Sequence, residues 1–484
     1  MEKLYTKLSK KLPAVLCVAF SIILYIILLI YSDDSDMYFE IMDGKDILNG
    51  NFYTATHLND FPRIVQQWLY AVCLALVDNF GKCGRMLFVL LQDTILIWLS
   101  SIFIYNKTND KYKAIYGSFI ALLICSGYLV NIRPQIITMI LLVAKLILLE
   151  KFKETSSYKY LLFTIPLAIL EANFHQSLLI YHIFILVPYC INDIKYPKTF
   201  KDLISIINWK IVSMVPIYIL CSFLTPYKVE GALFIINTFK SKVHQILPIN
   251  EMLPCTITSN IGITLVLCLS VVILLNYFHK SNIFINFFTF STVFLSFINT
   301  RQILLLYISL LYIIISLNIS NKYISKFKYY ILCFILIFCA SSAEAHMQSK
   351  LMTNMNRPDY NIEQIITNKS AYIYNSNINI GNYLEYLGYN KVKFDVRIET
   401  YSEEVSGIPN LTEDLYIIRT GHRPEYSKNY FVSNEEIYNM LEEYDYVISF
   451  RGDYVNKVLA ESENWKKVSP IDKEDVCITW EHIT

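Results

Sequence analysis

The chain alternates between long apolar runs and short polar connections from residue 14 to residue 343. A helix needs about 20 mostly apolar residues to cross the hydrocarbon core of a bilayer, and several runs approach or reach that length. The pattern therefore predicts an α-helical polytopic membrane protein with about 11 transmembrane helices. The runs cover residues 14–31, 84–105, 114–130, 135–150, 159–172, 177–191, 210–224, 259–278, 283–298, 302–318 and 328–343.

Several of these runs are short singly, and the first run resembles a leader only superficially. The fifth and sixth runs can be half-helices that meet at Asn173 and His175, a geometry that a membrane tolerates where neighbours satisfy the backbone. The first run follows a basic stretch, but it is longer than a signal-peptide core and lacks a small-residue cleavage site. We therefore expect a retained helix.

Lys and Arg are distributed unevenly among the connections. Alternate connections, beginning with residues 1–13, hold about twice as many as the intervening ones. Positive residues favour the cytoplasmic side, so residues 1–13 are predicted to be cytoplasmic. The chain is expected to cross the cell (inner) membrane. With an odd number of spans, its C-terminus is predicted to be extracytoplasmic.

The composition agrees with a membrane protein. Hydrophobic residues make up 54% of the chain and charged residues 17%, whereas charged residues form roughly a quarter of soluble domains. The 11 Cys are scattered without a CxxC pair, which indicates buried apolar side chains and no zinc site. Because no phosphate-cradling Gly-rich loop is present, direct use of a nucleotide sugar is not expected, and nucleic acid is not an expected partner.

The pattern becomes that of a soluble domain from about residue 357. Short β-rich runs alternate with helical ones, which predicts a small extracytoplasmic α/β domain at 357–484. The strands are expected at 371–374, 391–394, 446–450 and 476–479, and the helices at 380–387, 434–444 and 453–463. The transmembrane domain then spans 14–345, with two long outer loops at 32–83 and 225–258.

Polar residues with no evident solvation role gather on the predicted outer side. They are Asp33, Asp34, Asp36, Glu40, Arg133, Asn173, His175 and Arg301. Charged residues at span ends can simply snorkel to water, and Asp33, Asp34 and Asp36 can be ordinary surface charges at a helix end. Their shared side nevertheless favours a common site, where Asp36 could accept a proton from a hydroxyl group and arginines could hold phosphate.

The order of these residues resembles that in a group of bacterial multispanning proteins of the GT-C glycosyltransferase superfamily. Their Asp-x-Asp-x-aromatic-aromatic pattern matches Asp34 to Phe39, and Gly44, Trp68 and Leu69 follow as in the group. Further matches in order are Arg133-Pro134-Gln135, Ala172 to His175, Thr225-Pro226-Tyr227, Arg301, Gly381 to Leu384 and Phe394 to Arg397. The chain departs from the group at Glu40, Gln66, Gln67 and Val396, where the group has His, His, Glu and Gly.

The resemblance implies a GT-C-like membrane glycosyltransferase, of the inverting type. It would transfer a sugar from a polyprenyl-phosphate-linked donor to a glycan, lipid or protein acceptor at the outer membrane face. Asp36 would activate the acceptor, with Asp34 as helper or as a metal ligand. The cofactor stays open: a divalent cation would find two carboxylates here, and two carboxylates alone are a weak metal signal.

The remaining site residues receive supporting roles. Arg133 and Arg301 are predicted to hold the lipid phosphate and stabilise its charge as it departs. The predicted substrate-binding residues also include Asn173, His175, Gln67 and Trp68. In the tail, Asp395 and Arg397 are predicted to form a structural ion pair.

Two alternatives use different chemistry. A polysaccharide polymerase or ligase also has many spans and outer-face arginines. A transporter, or a scaffold without activity, would act in glycan assembly. A transporter would need polar residues near the bilayer midplane, and the runs are mostly apolar at their centres, with Lys145 near a cytoplasmic end.

Overall fold

A computed structural model describes most of the chain. The described residues are 19–34, 36–55, 62–191, 206–240, 254–278, 283–317, 360–395, 411–423, 431–470 and 476–483, together with 344, 347 and 358. The predicted run at 328–343 and the residue Arg397 lie outside them. Most of the described residues are helical, and the strands form two small sheets.

The helices follow one another with short connections. They are α1 (Ala19–Ile30), α2 (Asp36–Leu48), α3 (Trp68–Asp78), α4 (Gly81–Thr108), α5 (Lys111–Ile124), α6 (Ser126–Leu129), α7 (Gln135–Thr155), α8 (Tyr158–Leu162), α9 (Thr164–Phe174), α10 (Leu179–Phe184), α11 (Trp209–Val212), α12 (Met214–Cys221), α13 (Lys228–Lys240), α14 (Asn260–Phe278), α15 (Ile283–Ile298), α16 (Leu306–Ser316), α17 (Ile362–Ile365), α18 (Ile378–Tyr386), α19 (Leu411–Thr420), α20 (Asn434–Leu441) and α21 (Val455–Ala460). Short 3₁₀ segments cover Gln176–Leu178, Val187–Tyr189 and Thr300–Leu305.

The chain divides into two compact units. The first, called the helical unit below, comprises Met1–Asp33, Phe80–Leu224 and Asn250–Ser349. The second, called the mixed unit, comprises Asp34–Asn79, Thr225–Ile249 and Lys350–Thr484. Helices from both predicted outer loops therefore belong to the same unit as the tail.

Within the described residues of the helical unit, α4 is long and apolar enough to cross a membrane. Other apolar helices there are shorter, because several predicted runs are interrupted. The third run becomes α5 and α6, and the seventh becomes α11 and α12. The predicted count of about 11 spans accordingly stays a prediction.

Local capping chemistry explains where two of these helices begin and end. Asn109 closes α4 with a left-handed backbone (φ 52°), which asparagine tolerates better than most residues. The next residue, Asp110, starts α5 because its carboxylate accepts hydrogen bonds from the backbone N–H groups of Tyr112 and Lys113, both at 3.0 Å. A tight turn thus joins α4 to α5.

The fifth and sixth predicted runs do meet at a break. Helix α9 ends at Phe174, His175 is extended (φ −161°), and a 3₁₀ turn leads into α10. The predicted junction at Asn173 and His175 is therefore confirmed. Side-chain amides support the exposed carbonyls, since Gln176 donates to the carbonyl of Ser222 at 2.9 Å.

The tail contains a four-stranded sheet with the strand order β3-β4-β6-β5. Its strands are β3 (Ile373–Asn375), β4 (Tyr446–Phe450), β5 (Trp465–Lys467) and β6 (Cys477–His482). Strands β3 and β4 are parallel, and the other neighbours are antiparallel. A separate antiparallel pair joins β1 (Tyr53–Ala55) to β2 (Pro62–Ile64) in the predicted first outer loop.

Alternate residues of the tail sheet enter two different hydrophobic clusters. Tyr374 and Val447 pack with α19, α20 and α21 on one face. Ile373 and Ile448 pack with α18 on the other. This alternation follows from the two-residue period of a strand, and it gives a sheet covered by helices on both faces.

The tail corrects two sequence predictions in detail. The expected strand at 391–394 is reduced to one bridge, between Val392 and Ile373, because the backbone bends at Lys393 and the Phe394 N–H donates to the side chain of Asn375 instead of to the backbone of β3. The short strand β5 and the helix α19 were not predicted. Strand β5 has three residues, two of them exposed lysines, so its pattern carries little β signal.

Candidate active site

Asp36, in the predicted first outer loop, lies at the start of a helix. The carboxylate of Asp34 accepts a hydrogen bond from the backbone N–H of Asp36 at 3.3 Å. The carbonyl of Asp34 accepts one from Met37 at 3.2 Å. Asp34 is buried, whereas Asp36 is half-buried. Asp34 thus acts as a cap for α2, and the positive end of the helix dipole favours the charged carboxylate of Asp36.

The segment that leads into this loop is held by an arginine. Arg85 in the second turn of α4 contacts both carboxylate oxygens of Asp33, with Nε–Oδ1 at 3.4 Å and Nη2–Oδ2 at 3.3 Å. The carbonyl of Ser32 accepts a hydrogen bond from the N–H of Ile132 at 3.1 Å. Arg85 was missed from the sequence, although it starts an apolar run in the way that Arg133 and Arg301 do.

Arg133 and Arg301 both lie just before helices of the helical unit. Arg133 is half-buried in the turn between α6 and α7. Arg301 is half-buried at the start of a 3₁₀ segment, where its N–H donates to Asn299 Oδ1 at 2.9 Å. Both arginines therefore lie at helix starts, and their predicted place at the ends of membrane spans stays a prediction.

Arg301, His175 and Tyr181 are brought together inside the helical unit. Arg301 is close enough to act electrostatically on both His175 and Tyr181. The Tyr181 hydroxyl donates to Gln302 Oε1 at 3.0 Å, next to Arg301. His175 is buried and its Nδ1 has no hydrogen-bond partner among the described residues. A buried imidazole beside a guanidinium can bind an anionic oxygen.

Asn173 has a structural task in the same region. Its side-chain amide donates to the carbonyl of Ile169 at 2.8 Å and to that of Leu224 at 3.0 Å. These bonds tie the last turn of α9 to the segment after α12. Its predicted part in substrate binding stays a prediction.

A second buried polar group lies deeper in the helical unit and was not predicted. Glu171 and His182 are fully buried, with Oε2 and Nε2 separated by 3.6 Å. Thr138 donates to the other oxygen of Glu171 at 2.7 Å. Lys145 is also fully buried, and its ammonium donates to the His182 carbonyl and lies 3.9 Å from the ring centre of Tyr218. Lys145, Glu171 and His182 lie in three successive apolar runs of the sequence. An ionisable residue inside each run was the signal that could have indicated this buried group.

Gln67 and Trp68 belong to the mixed unit. They start α3, and both are half-buried. The Trp68 ring lies 6.0 Å from that of Phe52, in a cluster that includes Val65 and Tyr227. Trp68 therefore packs in a small hydrophobic core, and a role in substrate binding stays a prediction for both residues.

The last two predictions concern an ion pair in the tail and a metal site. Asp395 is buried in the tail, and its predicted partner Arg397 lies outside the described residues. Within the described part of the chain, no group of three or more His, Cys, Asp or Glu side chains is placed to hold a metal ion.

The chain matches known proteins in its three-dimensional structure but not in its sequence. No protein-family model and no curated protein sequence matches the chain. The crystal structure of the Archaeoglobus fulgidus oligosaccharyltransferase, tethered with an acceptor peptide containing the NVT sequon, matches with a TM-score of 0.50 and 11% identity. The match covers 94% of this chain and 73% of that one. The chain has the oligosaccharyltransferase fold.

A second solved structure agrees with this assignment of fold. It is the archaeal oligosaccharyltransferase AglB from Archaeoglobus fulgidus in complex with an inhibitory peptide and a dolichol-phosphate, with a TM-score of 0.52 and 10% identity. It covers 90% of this chain and 69% of that one. These proteins belong to the GT-C superfamily, so the resemblance drawn from the ordered motifs is confirmed at the level of fold. At such low identity, the likeness extends to the fold alone.

Proposed function

We propose that this chain is a membrane glycosyltransferase that moves a sugar from a polyprenyl-phosphate carrier to an acceptor at the outer face of the membrane. The observation that carries the proposal is a fold match along 94% of the chain to an enzyme of that chemistry. The archaeal proteins were solved with an acceptor peptide and with dolichol-phosphate. A lipid phosphate and a nucleophilic acceptor are the substrate classes that follow.

In the proposed reaction, Asp36 is the general base. An acceptor hydroxyl or amide attacks the anomeric carbon of the sugar, and its proton passes to the Asp36 carboxylate. The bond from that carbon to the phosphate oxygen breaks on the opposite face, which inverts the stereochemistry. Asp34 supports this step by capping the helix that begins at Asp36, through the 3.3 Å hydrogen bond that its carboxylate accepts from the backbone N–H of Asp36.

In the same proposal, the arginines of the helical unit bind the carrier. Arg301, with His175 beside it, holds the phosphate oxygens and stabilises the charge left when the sugar departs. Arg133 adds a second guanidinium, whose planar fork suits phosphate. This assignment keeps the expected topology, with many spans, a cytoplasmic N-terminus and an extracytoplasmic tail.

Donor turnover tests the proposal. The purified full-length protein in nanodiscs, given a polyprenyl-phosphate sugar and an acceptor extract, should release polyprenyl phosphate. Arg301→Gln should raise the donor KM at least about tenfold through loss of a charge-assisted contact. Arg451→Gln, which replaces an exposed arginine of the tail, is the matched control and should leave KM unchanged.

Other outcomes of this assay would redirect the assignment. Products that carry many sugars per acceptor would support a polymerase or ligase instead. No release of the carrier with any acceptor, by protein that is folded, would argue against a transferase.

The buried group around Glu171 favours a second candidate function. Ionisable residues in the interior of membrane proteins often mark ion or substrate pathways. Glu171, His182 and Lys145 meet inside the helical unit, so a transport role in glycan assembly has a structural basis. Two assays of Glu171→Gln in proteoliposomes would separate these functions: movement of a glycan precursor across the membrane, and release of the polyprenyl-phosphate carrier. In a transporter, the variant should lose the movement of the precursor. In a transferase, the variant should still release the carrier.

A further inference from the structure

The tail contacts the helix that begins at Asp36. Both belong to the mixed unit, where α18 of the tail packs along α2. The ring centre of Tyr38 lies 5.6 Å from that of Tyr383 and 4.8 Å from that of Tyr386. Tyr383 and Tyr386 are three residues apart on α18, so they face the same side of that helix. Their rings contact the first turn of α2 at Tyr38.

A second contact continues along the same face of α2. Lys45 follows Tyr38 by seven residues, which is two helical turns. Its ammonium lies 5.4 Å from the ring centre of Tyr386 and 3.6 Å from the carboxylate of Asp78 at the end of α3. Lys45 therefore links α18, α2 and α3.

Another flank of α2, about 120° around the helix from Tyr38, packs closely against α3. A methyl group placed on Gly44 would lie 2.1 Å from the carbonyl oxygen of Ala71 on α3. Such a separation is well below van der Waals contact, so the two helix backbones touch. Helix α2 is thus packed between α3 and the tail helix α18.

The fold of the tail in turn fixes the position of α18. Ile380 and Leu384 are fully buried in its core. A methyl group on Gly381 would lie 1.7 Å from the Phe394 carbonyl oxygen. The tyrosines therefore reach α2 from a helix that cannot shift without disturbing the tail.

We propose that Tyr383 and Tyr386 of the tail are positioning residues for Asp36, acting through Tyr38. Successive residues of a helix are rotated by about 100°, so Asp36 and Tyr38 leave α2 on nearly opposite sides. The tail then holds one side of α2 while Asp36 is presented on the other. This inference rests on the proposed function, because it gives the tail a task in the step that Asp36 performs.

Leucine and phenylalanine variants of the full-length protein test the inference. Tyr383→Leu and Tyr386→Leu should lower kcat by about ten- to a hundredfold with donor KM nearly unchanged, since small misplacements of a catalytic group cost that much. Tyr383→Phe and Tyr386→Phe keep the rings and should retain activity. Tyr372→Leu, an exposed tail tyrosine outside α18, is the matched control and should be neutral.

A variant outside the tail removes the objection that the tail has misfolded. Tyr38→Leu changes the same contact from α2, should lower kcat to a similar extent, and combined with Tyr386→Leu should cost no more than either change alone. Amide hydrogen exchange in α2 should accelerate in all three leucine variants. Unchanged kcat and unchanged exchange in Tyr38→Leu and Tyr386→Leu would overturn the inference.

The result for Asp36 itself separates this inference from the proposed function. If the parent protein releases no polyprenyl phosphate with any acceptor, the proposed function fails, whatever the tyrosine variants do. If Asp36→Asn keeps full activity, Asp36 is not the base and the positioning role fails with it. If Asp36→Asn is inactive and the tyrosine variants are fully active, the proposed function stands and the positioning role fails.

Discussion

Two clusters of buried polar side chains, one in each unit of this protein, differ in their hydrogen bonding. In the tail, the cluster around Asn456 forms a network: Asn456 Oδ1 accepts from Ser449 at 2.7 Å and from Trp480 at 2.8 Å, while its amide donates to the Phe450 carbonyl at 2.6 Å. In the helical unit, the second oxygen of Glu171 and both ring nitrogens of His182 have no hydrogen-bond partner among the described residues.

This difference in hydrogen bonding distinguishes buried polar groups that stabilise a fold from buried polar groups that serve a function. A buried network with every partner in place adds stability and fixes one arrangement. Buried donors and acceptors that lack partners cost free energy and persist where function requires them. The tail network is therefore structural, and the helical-unit cluster is a candidate for function.

Replacing Asn456 with Ala should give the largest change in stability. It leaves the Trp480 N–H and the Ser449 hydroxyl buried without their acceptor, so the tail should lose about 2–4 kcal/mol of unfolding free energy. Urea unfolding, followed by hydrogen exchange of β4 and β6 in the full-length protein, measures this. The exposed Asn464→Ala should change little, and an equal loss there would remove the contrast.

Asp414 makes a smaller, pH-dependent contribution in the tail. Burial raises its pKa to about 6, against the opposing pull of Lys393. Between the ordinary aspartate value of about 4 and that pKa, the folded tail binds more protons than the unfolded tail, so stability falls as pH rises. Asp414→Asn should stabilise the tail by about 1–2 kcal/mol at pH 7.5 and by nearly nothing at pH 4.

The same unfolding experiment, repeated across pH, tests whether the stabilising effect of Asp414→Asn grows as pH rises. A stability difference between Asp414→Asn and the parent that grows toward low pH would contradict the assignment. A constant difference would place the carboxyl group in contact with water.

The smallest effect on stability is expected for Glu171→Gln. The amide oxygen of glutamine can still accept the Thr138 hydrogen bond, and no other bond to Glu171 is lost. The unfolding free energy should change by less than about 1 kcal/mol. A loss comparable to that of Asn456→Ala would show that Glu171 is structural, and the contrast between the units would fail.

The sequence predicted those features that depend on local pattern. The run of alternating and β-branched residues at 446–450 became β4, and the weak pair of runs around His175 became a broken helix. It could not predict contacts between distant residues. The pairs Asp33–Arg85 and Tyr38–Tyr386 join positions that no periodicity relates, and packing in three dimensions decides them.

The helical unit shows the same limit for the candidate site. Arg133, His175 and Arg301 were chosen because each sits at the end of an apolar run, a property that local sequence contains. Glu171 and His182 sit within runs, where pattern alone gives no reason to pair them. Their meeting follows from how α9 packs beside α10, which is a tertiary property.

A single-turnover measurement with Asp36→Asn tests the central claim most directly. With a labelled polyprenyl-phosphate sugar, the variant should bind the donor with unchanged affinity and transfer the sugar at least about a hundredfold more slowly, because the base is gone. Asp110→Asn, which keeps a helix cap, is the matched control and should transfer normally. Transfer at the parental rate by folded Asp36→Asn would contradict the account.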